Sequence, residues 1–351
     1  MTTTFERLAE LPLEIGSYEL EGLEQEVSSG FTRRTTVVRL RGRDAEGVGE
    51  DVTYDGEDQL ALQRDGGALS LEGTYTLASF SERLASVDLW PAGPSREDFR
   101  HYRTWAFESA ALDLALRQGG LSLANALERE PRPLTFVVSM RLPDPPTAEP
   151  VRRLRELYPG LRFKLDATSA WTEELMEELS DLGAVDSIDL KGAYVGTVVD
   201  QPPDPDLYER VVRIFPDAWI EDPALTPETG PILESARARI TWDAPIHSIE
   251  DIEGLAFPPR TVNIKPSRFG ALRDLFAAYD YCEERGMGAY GGGQFELGPG
   301  RGQIQLLAAL FHPDGPNDVA PGEFNRSYPG PGLPTSPLDP APDALGFRRR
   351  T

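Results

Sequence analysis

A chain of 351 residues with 40% hydrophobic and 26% charged residues can bury a sizeable core, either as one large α/β barrel or as two ordinary domains. Its net charge of −23 opposes nucleic acid and anionic membranes as partners, because like charges repel at long range. The longest apolar runs, such as "QLLAALF" at 305–311, are far too short to span a bilayer, and the lone Cys282 excludes an internal disulfide and a zinc-type spacing.

The first residues, "MTTTFERLAEL", carry Glu6 and Glu10 and lack the basic start and apolar stretch of a secretory signal, so a cytoplasmic location is expected. Residues 16–55 read as antiparallel strands: "RRTTVVRLRGRDAEGVGEDVTY" gives a β-rich run, a turn at Gly42–Gly47 and a second short strand. The segment near 21–32, "EGLEQEVSSGFT", reads as a mobile loop. Residues 76–128 read as helical, with Phe99, Tyr102, Phe107, Ala110, Ala111 and Leu114 at helix-compatible spacing. From about 134 the pattern changes to short apolar strands alternating with helices, the signature of βα units. Seven strands are expected, "LTFVVSM", "LRFKLDA", "VDSIDLKG", "DAWIEDP", "RITWDAP", "RTVNIKP" and "GMGAYGG". Such a series favours a TIM-like barrel with one atypical unit over a doubly wound open sheet. The Pro- and Gly-rich stretch at 327–344 reads as an extended segment packed back on the body. "GGG" at 291–293 precedes no GK[ST], so no phosphate loop is indicated.

Only three of the 35 basic residues are lysines, and all three fall at expected strand ends: Lys164, Lys191 and Lys265. Arginine stays protonated, whereas a buried lysine can lose its proton and serve as a base. The same strand ends carry Asp166, Asp189, Glu221, Asp222 and Asp243. In TIM barrels the chemistry sits at that rim, and residues two apart on a strand face the same side. Carboxylates from consecutive strands suit Mg²⁺, a hard cation that keeps sites for water or substrate. The competing reading is a rim of structural salt bridges.

These motifs resemble the enolase superfamily. "WIEDP" at 219–223 resembles its fourth-strand metal motif, "ITWDAPIHSIEDI" at 240–252 its fifth-strand acid, and "VNIKPSRFGAL" at 262–272 its sixth-strand lysine motif. "GGGQFELGPGRGQIQLLAAL" at 291–310 resembles the seventh-strand segment, and "AFESAALDLALRQGGLSLANAL" part of the capping domain. The resemblance implies a (β/α)7β barrel at 131–325, an N-terminal α+β cap at 1–130, and a terminal segment at 326–351 packing back on the cap.

"LDATSAW" is close to the superfamily's third-strand motif, which would make Asp166 a metal ligand. A βα unit occupies roughly 30 residues, and "SIDLKGAY" lies between it and "WIEDP" as a complete strand. Strand order therefore assigns Asp189, Glu221 and Asp243 as the metal triad and leaves Asp166 in the second position of the second-strand "KxK" pair, here Lys164-Leu165-Asp166. Lys191 stands where relatives usually carry asparagine.

The resemblance further implies that Lys265 removes a proton from the carbon next to a substrate carboxylate, giving an enediolate stabilised by Mg²⁺ or Mn²⁺. Lys164, Asp166 and Lys191 would serve the opposite face as base, acid or electrostatic partner. Glu296, Phe295 and Ser139 fall at positions expected to meet the substrate. A sixth-strand lysine with a fifth-strand aspartate resembles the muconate-lactonizing subgroup, whose members include cycloisomerases, o-succinylbenzoate synthases and amino-acid or dipeptide epimerases. No histidine lies on the seventh strand; the three present are His101, His247 and His312. The expectation is a lyase or isomerase acting on a small carboxylate, with homo-oligomers allowed. A barrel that keeps the cage without turnover is the competing class.

Overall fold

The computed structural model describes residues 2–28, 30–66, 69–194, 196–197 and 199–350. Its first part contains helix α1 (Glu6–Ala9), strands β1 (Pro12–Ile15), β2 (Ser17–Glu26), β3 (Thr32–Gly42) and β4 (Ala45–Asp51), and helix α2 (Gly56–Asp65). These are followed by β5 (Gly73–Thr76) and helices α3 (Leu77–Ala85), α4 (Phe99–Gln118) and α5 (Leu123–Leu127). Strands β2, β3 and β4 form an antiparallel meander, and β1 pairs with β5. Gly42 pairs with Ala45, so Arg43 and Asp44 alone make the turn, both at positive φ (46° and 59°), as a two-residue hairpin turn matched to strand twist requires.

Helix α4 lies directly on β4, an approach that two glycines permit. A Cβ on Gly49 would stand 2.0 Å from the Ala106 carbonyl oxygen, and one on Gly47 2.2 Å from that of Ala110. Of the segment 21–32, expected as a mobile loop, residues 21–26 belong to β2 and Thr32 to β3, and Ser29 lies outside the described residues. The helical expectation for 76–128 is interrupted between Ala85 and Phe99, where Pro91 and Pro94 remove backbone donors.

The second part supplies strands β6 (Val138–Arg141), β7 (Phe163–Asp166), β8 (Val185–Asp189), β9 (Trp219–Glu221), β10 (Ile240–Thr241), β11 (Thr261–Ile264) and β12 (Gly288–Gly291). Between them run α6 (Glu149–Leu157), α7 (Glu173–Asp181), α8 (Pro205–Ile214), α9 (Gly230–Leu233), α10 (Ile249–Glu253), α11 (Pro266–Phe269) and α12 (Leu272–Arg285), and α13 (Pro299–Phe311) follows β12. Three of these helices start on side-chain caps: Thr172 accepts from Leu175 N, Asp204 from Leu207 N and Ser248 from Asp251 N. The apolar stripe of α8, Leu207, Tyr208 and Val211, is buried, as a helix covering a sheet requires.

Strands β6 to β10 form one parallel sheet in sequence order, and β11 pairs in parallel with β12. Regular ladders do not close the ring; isolated backbone contacts span two seams. Asn263 N donates to Trp242 O at 3.0 Å between β10 and β11. On the other side, Asn317 and Asp318 stand in place of an eighth strand, bridged in parallel to Phe136 and Gly292. This is the expected (β/α)7β barrel, with its eighth stave reduced to two residues.

The terminal segment touches both parts. Leu338 exchanges backbone hydrogen bonds with Leu134 at 2.7 and 2.9 Å, and Phe347 stands edge-on to Trp105 of α4 at 6.2 Å. Asp113, fully buried on α4, accepts from Val48 N, Phe347 N and the guanidinium groups of Arg117 and Arg348. No helix among the described residues is long and apolar enough to cross a membrane.

Candidate active site

The acids and lysines at the C-terminal ends of the barrel strands converge into one buried cluster. Lys164 is 2% exposed and inward-facing on β7. Its ammonium bonds the Glu221 carboxylate and lies 3.2 Å from Asp189 Oδ2 and 3.8 Å from Asp318 Oδ2. Burial alone would lower its pKa, but Glu221, Asp189 and Asp318 hold it well above the ordinary lysine value, so the group stays charged.

Asp189 ends β8 and is clasped by a residue two further on. Lys191 N donates to Asp189 Oδ1 at 3.0 Å, and the Lys191 ammonium bonds Oδ2. Burial would raise the Asp189 carboxyl, yet Lys191 and Lys164 hold it below the usual carboxylate range. The Lys191 ammonium also lies 3.3 Å from Asp166 Oδ1 and 4.9 Å from the centre of the Tyr194 ring. Asp166 is pushed up by burial, which Lys191 offsets only in part.

Glu221 ends β9, and its second oxygen accepts from the Tyr290 hydroxyl. Asp222 follows at φ +48°, a left-handed backbone, with its carboxylate at the segment that follows β10. There it accepts from Asp243 N and Ala244 N, both at 2.9 Å. Burial, then the charges of Asp243 and Asp189, push its pKa to about 7. Asp243, beyond β10, receives Lys265 Nζ and the Tyr194 hydroxyl at 2.8 Å on Oδ2 and Arg268 Nη1 at 2.9 Å on Oδ1. Burial opposes its charge, but Arg268 and Lys265 hold it well below the usual carboxylate range.

The donor chemistry fits a hard divalent cation: Asp189, Glu221 and Asp222, all buried, each offer a carboxylate oxygen within 4.8 Å of the others. Of the expected triad, Asp189 and Glu221 belong to this group. Asp243 is not in this group, although its N–H bonds Asp222; its carboxylate is tied to Lys265, Arg268 and Tyr194. Strand order places β8 as a complete strand between the strands of Asp166 and Glu221. The rim is also a network of salt bridges, so the two competing readings of the strand-end charges describe one set of contacts.

Among the described residues, none of the three expected substrate positions bonds to this cluster. Ser139 is half-buried on β6, in register with Lys164. Phe295, at φ +54°, and Glu296 follow β12 in a segment gripped by the cap: Arg33 donates to the carbonyls of Gln294 at 2.9 Å and Phe295 at 3.4 Å. The Glu296 carboxylate is taken up by Gln294 N at 2.7 Å and Arg301 at 2.9 Å. Phe31, at the tip of the β2–β3 hairpin, packs edge-on to Phe295 with centroids 6.0 Å apart.

Six residues at or beside the site are not singled out by the sequence reading as site residues. Asp222 was visible beside Glu221 but was not weighed as a ligand, and Arg268 sits one helical turn beyond Lys265. Tyr194 and Tyr290 carry no local signal of their bonds to Asp243 and Glu221, and Asp318 belongs to no recognisable strand. Asn263 is 1% exposed and stands two residues before Lys265 on the same side; among the described residues its amide has no hydrogen-bond partner.

Comparison with known proteins gives the same architecture. A structure described as a member of the enolase superfamily from Listeria innocua aligns with TM-score 0.64 at 18% identity, over 95% of this chain and 92% of that one. Muconate cycloisomerase from Pseudomonas fluorescens aligns with TM-score 0.63 at 19% identity, over 87% of each chain. The capped barrel therefore has the enolase-superfamily fold. More narrowly, the chain belongs to the DUF8230 family, matching its C-terminal domain of unknown function over residues 130–326 and its N-terminal domain over 6–126. An o-succinylbenzoate synthase of Bacillus subtilis (strain 168) is 24% identical over 247 residues, 63% of this chain and 58% of the relative. The chain spans about half the length of the curated relatives it matches.

Proposed function

We propose that this protein removes a proton from the carbon next to a carboxylate in a small substrate, with Lys265 as the base, leading to elimination or cycloisomerisation. The likeness to o-succinylbenzoate synthase and muconate cycloisomerase supports this reaction class. The observation that carries the choice of base is the unequal pairing of the lysines. Lys164 has three carboxylates within 4 Å, Lys191 two and Lys265 one. Lys265 thus has least to break when it turns to a substrate.

Asp189 and Glu221, with Asp222 or Asp243, would hold Mg²⁺ or Mn²⁺. When bound, such an ion supplies positive charge that stabilises the negative charge gathering on the substrate carboxylate as the proton leaves. Lys265 takes that proton, and the C–H electron pair moves toward the carboxylate. In an elimination the pair then expels a β-oxygen, and the proton on Lys265 can pass to the leaving group. Tyr194 and Arg268 fix Asp243 so that Lys265 keeps one defined partner. Asn263 offers a free donor and acceptor beside it. Epimerisation would need, besides the base, a group on the opposite face that delivers a proton; Lys164 is a charged ammonium, but its protons are engaged by Glu221, Asp189 and Asp318, which favours the one-base reactions.

The test is α-proton exchange in D₂O with Mg²⁺, followed by mass spectrometry, on succinylbenzoate-type acids, N-acylamino acids and dipeptides. Exchange that falls by about 10²–10⁴-fold in Lys265→Ala, the range for loss of a general base, supports the assignment. Exchange that survives Lys265→Ala refutes it.

A further inference from the structure

We infer that Lys191 is a built-in counter-cation of the metal cage, and that Asp166 is the second seat for its ammonium when a divalent ion takes Asp189. This rests on reading Asp189 and Glu221 as metal ligands. Lys191 holds both oxygens of Asp189, one through its backbone N–H at 3.0 Å and the other through its side chain. It does so from a left-handed backbone at φ +54°, a conformation rare for residues other than glycine and asparagine. The next residue fixes that backbone: Gly192 N donates to Asp222 O at 2.8 Å, and a Cβ on Gly192 would stand 2.4 Å from Ala224 N. The main chain at 191 is therefore pinned, while the side chain above it can turn.

The ammonium has one other carboxylate within reach. Among the described residues, Asp166 Oδ1, 3.3 Å away, is buried and makes no hydrogen bond, and its sister oxygen has only Arg141 at 3.9 Å. Asp166 is thus an under-used anion next to a cation whose present partner is a metal ligand. A divalent ion arriving at Asp189 repels the Lys191 ammonium, and a small rotation seats that ammonium on Asp166. The acid at the second-strand position and the lysine on the third strand then form one device that sets how tightly the cage holds a metal.

The two residues must act with opposite sign. Removing the lysine removes a competitor, whereas removing the acid removes the place where the competitor goes. Binding of Mn²⁺ to the full chain, read by the loss of free-ion paramagnetic resonance signal, measures this without any substrate. Lys191→Met is expected to bind Mn²⁺ at least about tenfold more tightly, since a like charge a few ångströms from the ion is lost. Lys191→Arg, which keeps the charge, should not tighten binding. Asp166→Asn should weaken binding several-fold, and should have no effect once Lys191→Met is also present. Equal affinity in the native protein and Lys191→Met, or an Asp166→Asn effect that persists in the double variant, overturns the inference while leaving the cage intact. Mn²⁺ binding that Asp189→Asn does not weaken, or no binding even in Lys191→Met, overturns the cage reading as well. Far-ultraviolet circular dichroism of each variant separates these outcomes from unfolding.

Discussion

Replacing Lys164 by methionine isolates the charge balance at the centre of the barrel. The ammonium is in contact with Glu221, 3.2 Å from Asp189 and 3.8 Å from Asp318, and all but Asp318 are fully buried. Methionine keeps much of the side-chain volume but leaves three carboxylates facing one another. Stripping one partner from a buried ion pair costs about 3–5 kcal/mol, because the remaining charge stays desolvated. Unfolding entropy of about 2.1 cal/mol/K per residue gives roughly 0.7 kcal/mol/K for a chain this long, so the loss corresponds to a fall in Tm of about 4–7 °C. Thermal unfolding followed by circular dichroism in EDTA measures it. Adding millimolar Mg²⁺ should recover part of the loss in the variant and have less effect on the native protein, since the divalent charge substitutes for the missing ammonium. A Tm within a degree of native in EDTA, or a loss that Mg²⁺ leaves untouched, would refute the claim that Lys164 neutralises a potential metal cage.

Two further predictions concern the cap. Glu108 on α4 is 1% exposed and accepts from Ser81 Oγ, and burial raises its pKa to about 7. A carboxyl raised on folding stabilises the fold at low pH, and that contribution is lost as pH rises from the unfolded value toward 7. Glu108→Gln should therefore be more stable than the native protein at pH 8, by up to about 3 kcal/mol, with the advantage gone near pH 4.5. Paired thermal melts at the two pH values decide it; a constant offset would sink the assignment. Gly49→Ala should lower stability by about 1–3 kcal/mol, because the added Cβ meets the Ala106 carbonyl at 2.0 Å and helix α4 must lift off β4. A melt indistinguishable from native would show that the helix can retreat without cost.

The βα alternation was legible because most barrel strands are short apolar runs closed by a charged residue, and several helices, α7, α8 and α10 among them, carry a polar start. The count of strands was legible for the same reason, and it separates β7 from β8 where local motif similarity alone favoured Asp166 as a ligand. What stayed hidden depends on contacts between distant segments. Asp318 reaches Lys164 only because two residues after α13 replace a strand, and nothing in "PNDVAP" alternates like one. Asp222 faces the Asp243 and Ala244 amides from a left-handed backbone, which the sequence "IEDP" does not announce. The short helix α2 and the β1–β5 pair were likewise not anticipated, since the mean hydropathy of α2 is low and each strand of the pair has four residues.

The tie between Asp113 and the terminal segment bears on how the chain is made. Two of the groups that satisfy this buried acid, Val48 N and Arg117, are its neighbours in the cap, but Phe347 N comes 234 residues later and Arg348 one further. At ribosomal speeds of 5–20 residues per second, an emerging α4 waits roughly 10–50 s for those partners. During that interval Trp105 also lacks the Phe347 ring that covers it. The nascent cap is therefore an unfinished unit with an exposed acid and an uncovered indole, and it matures only when the barrel behind it has been synthesised.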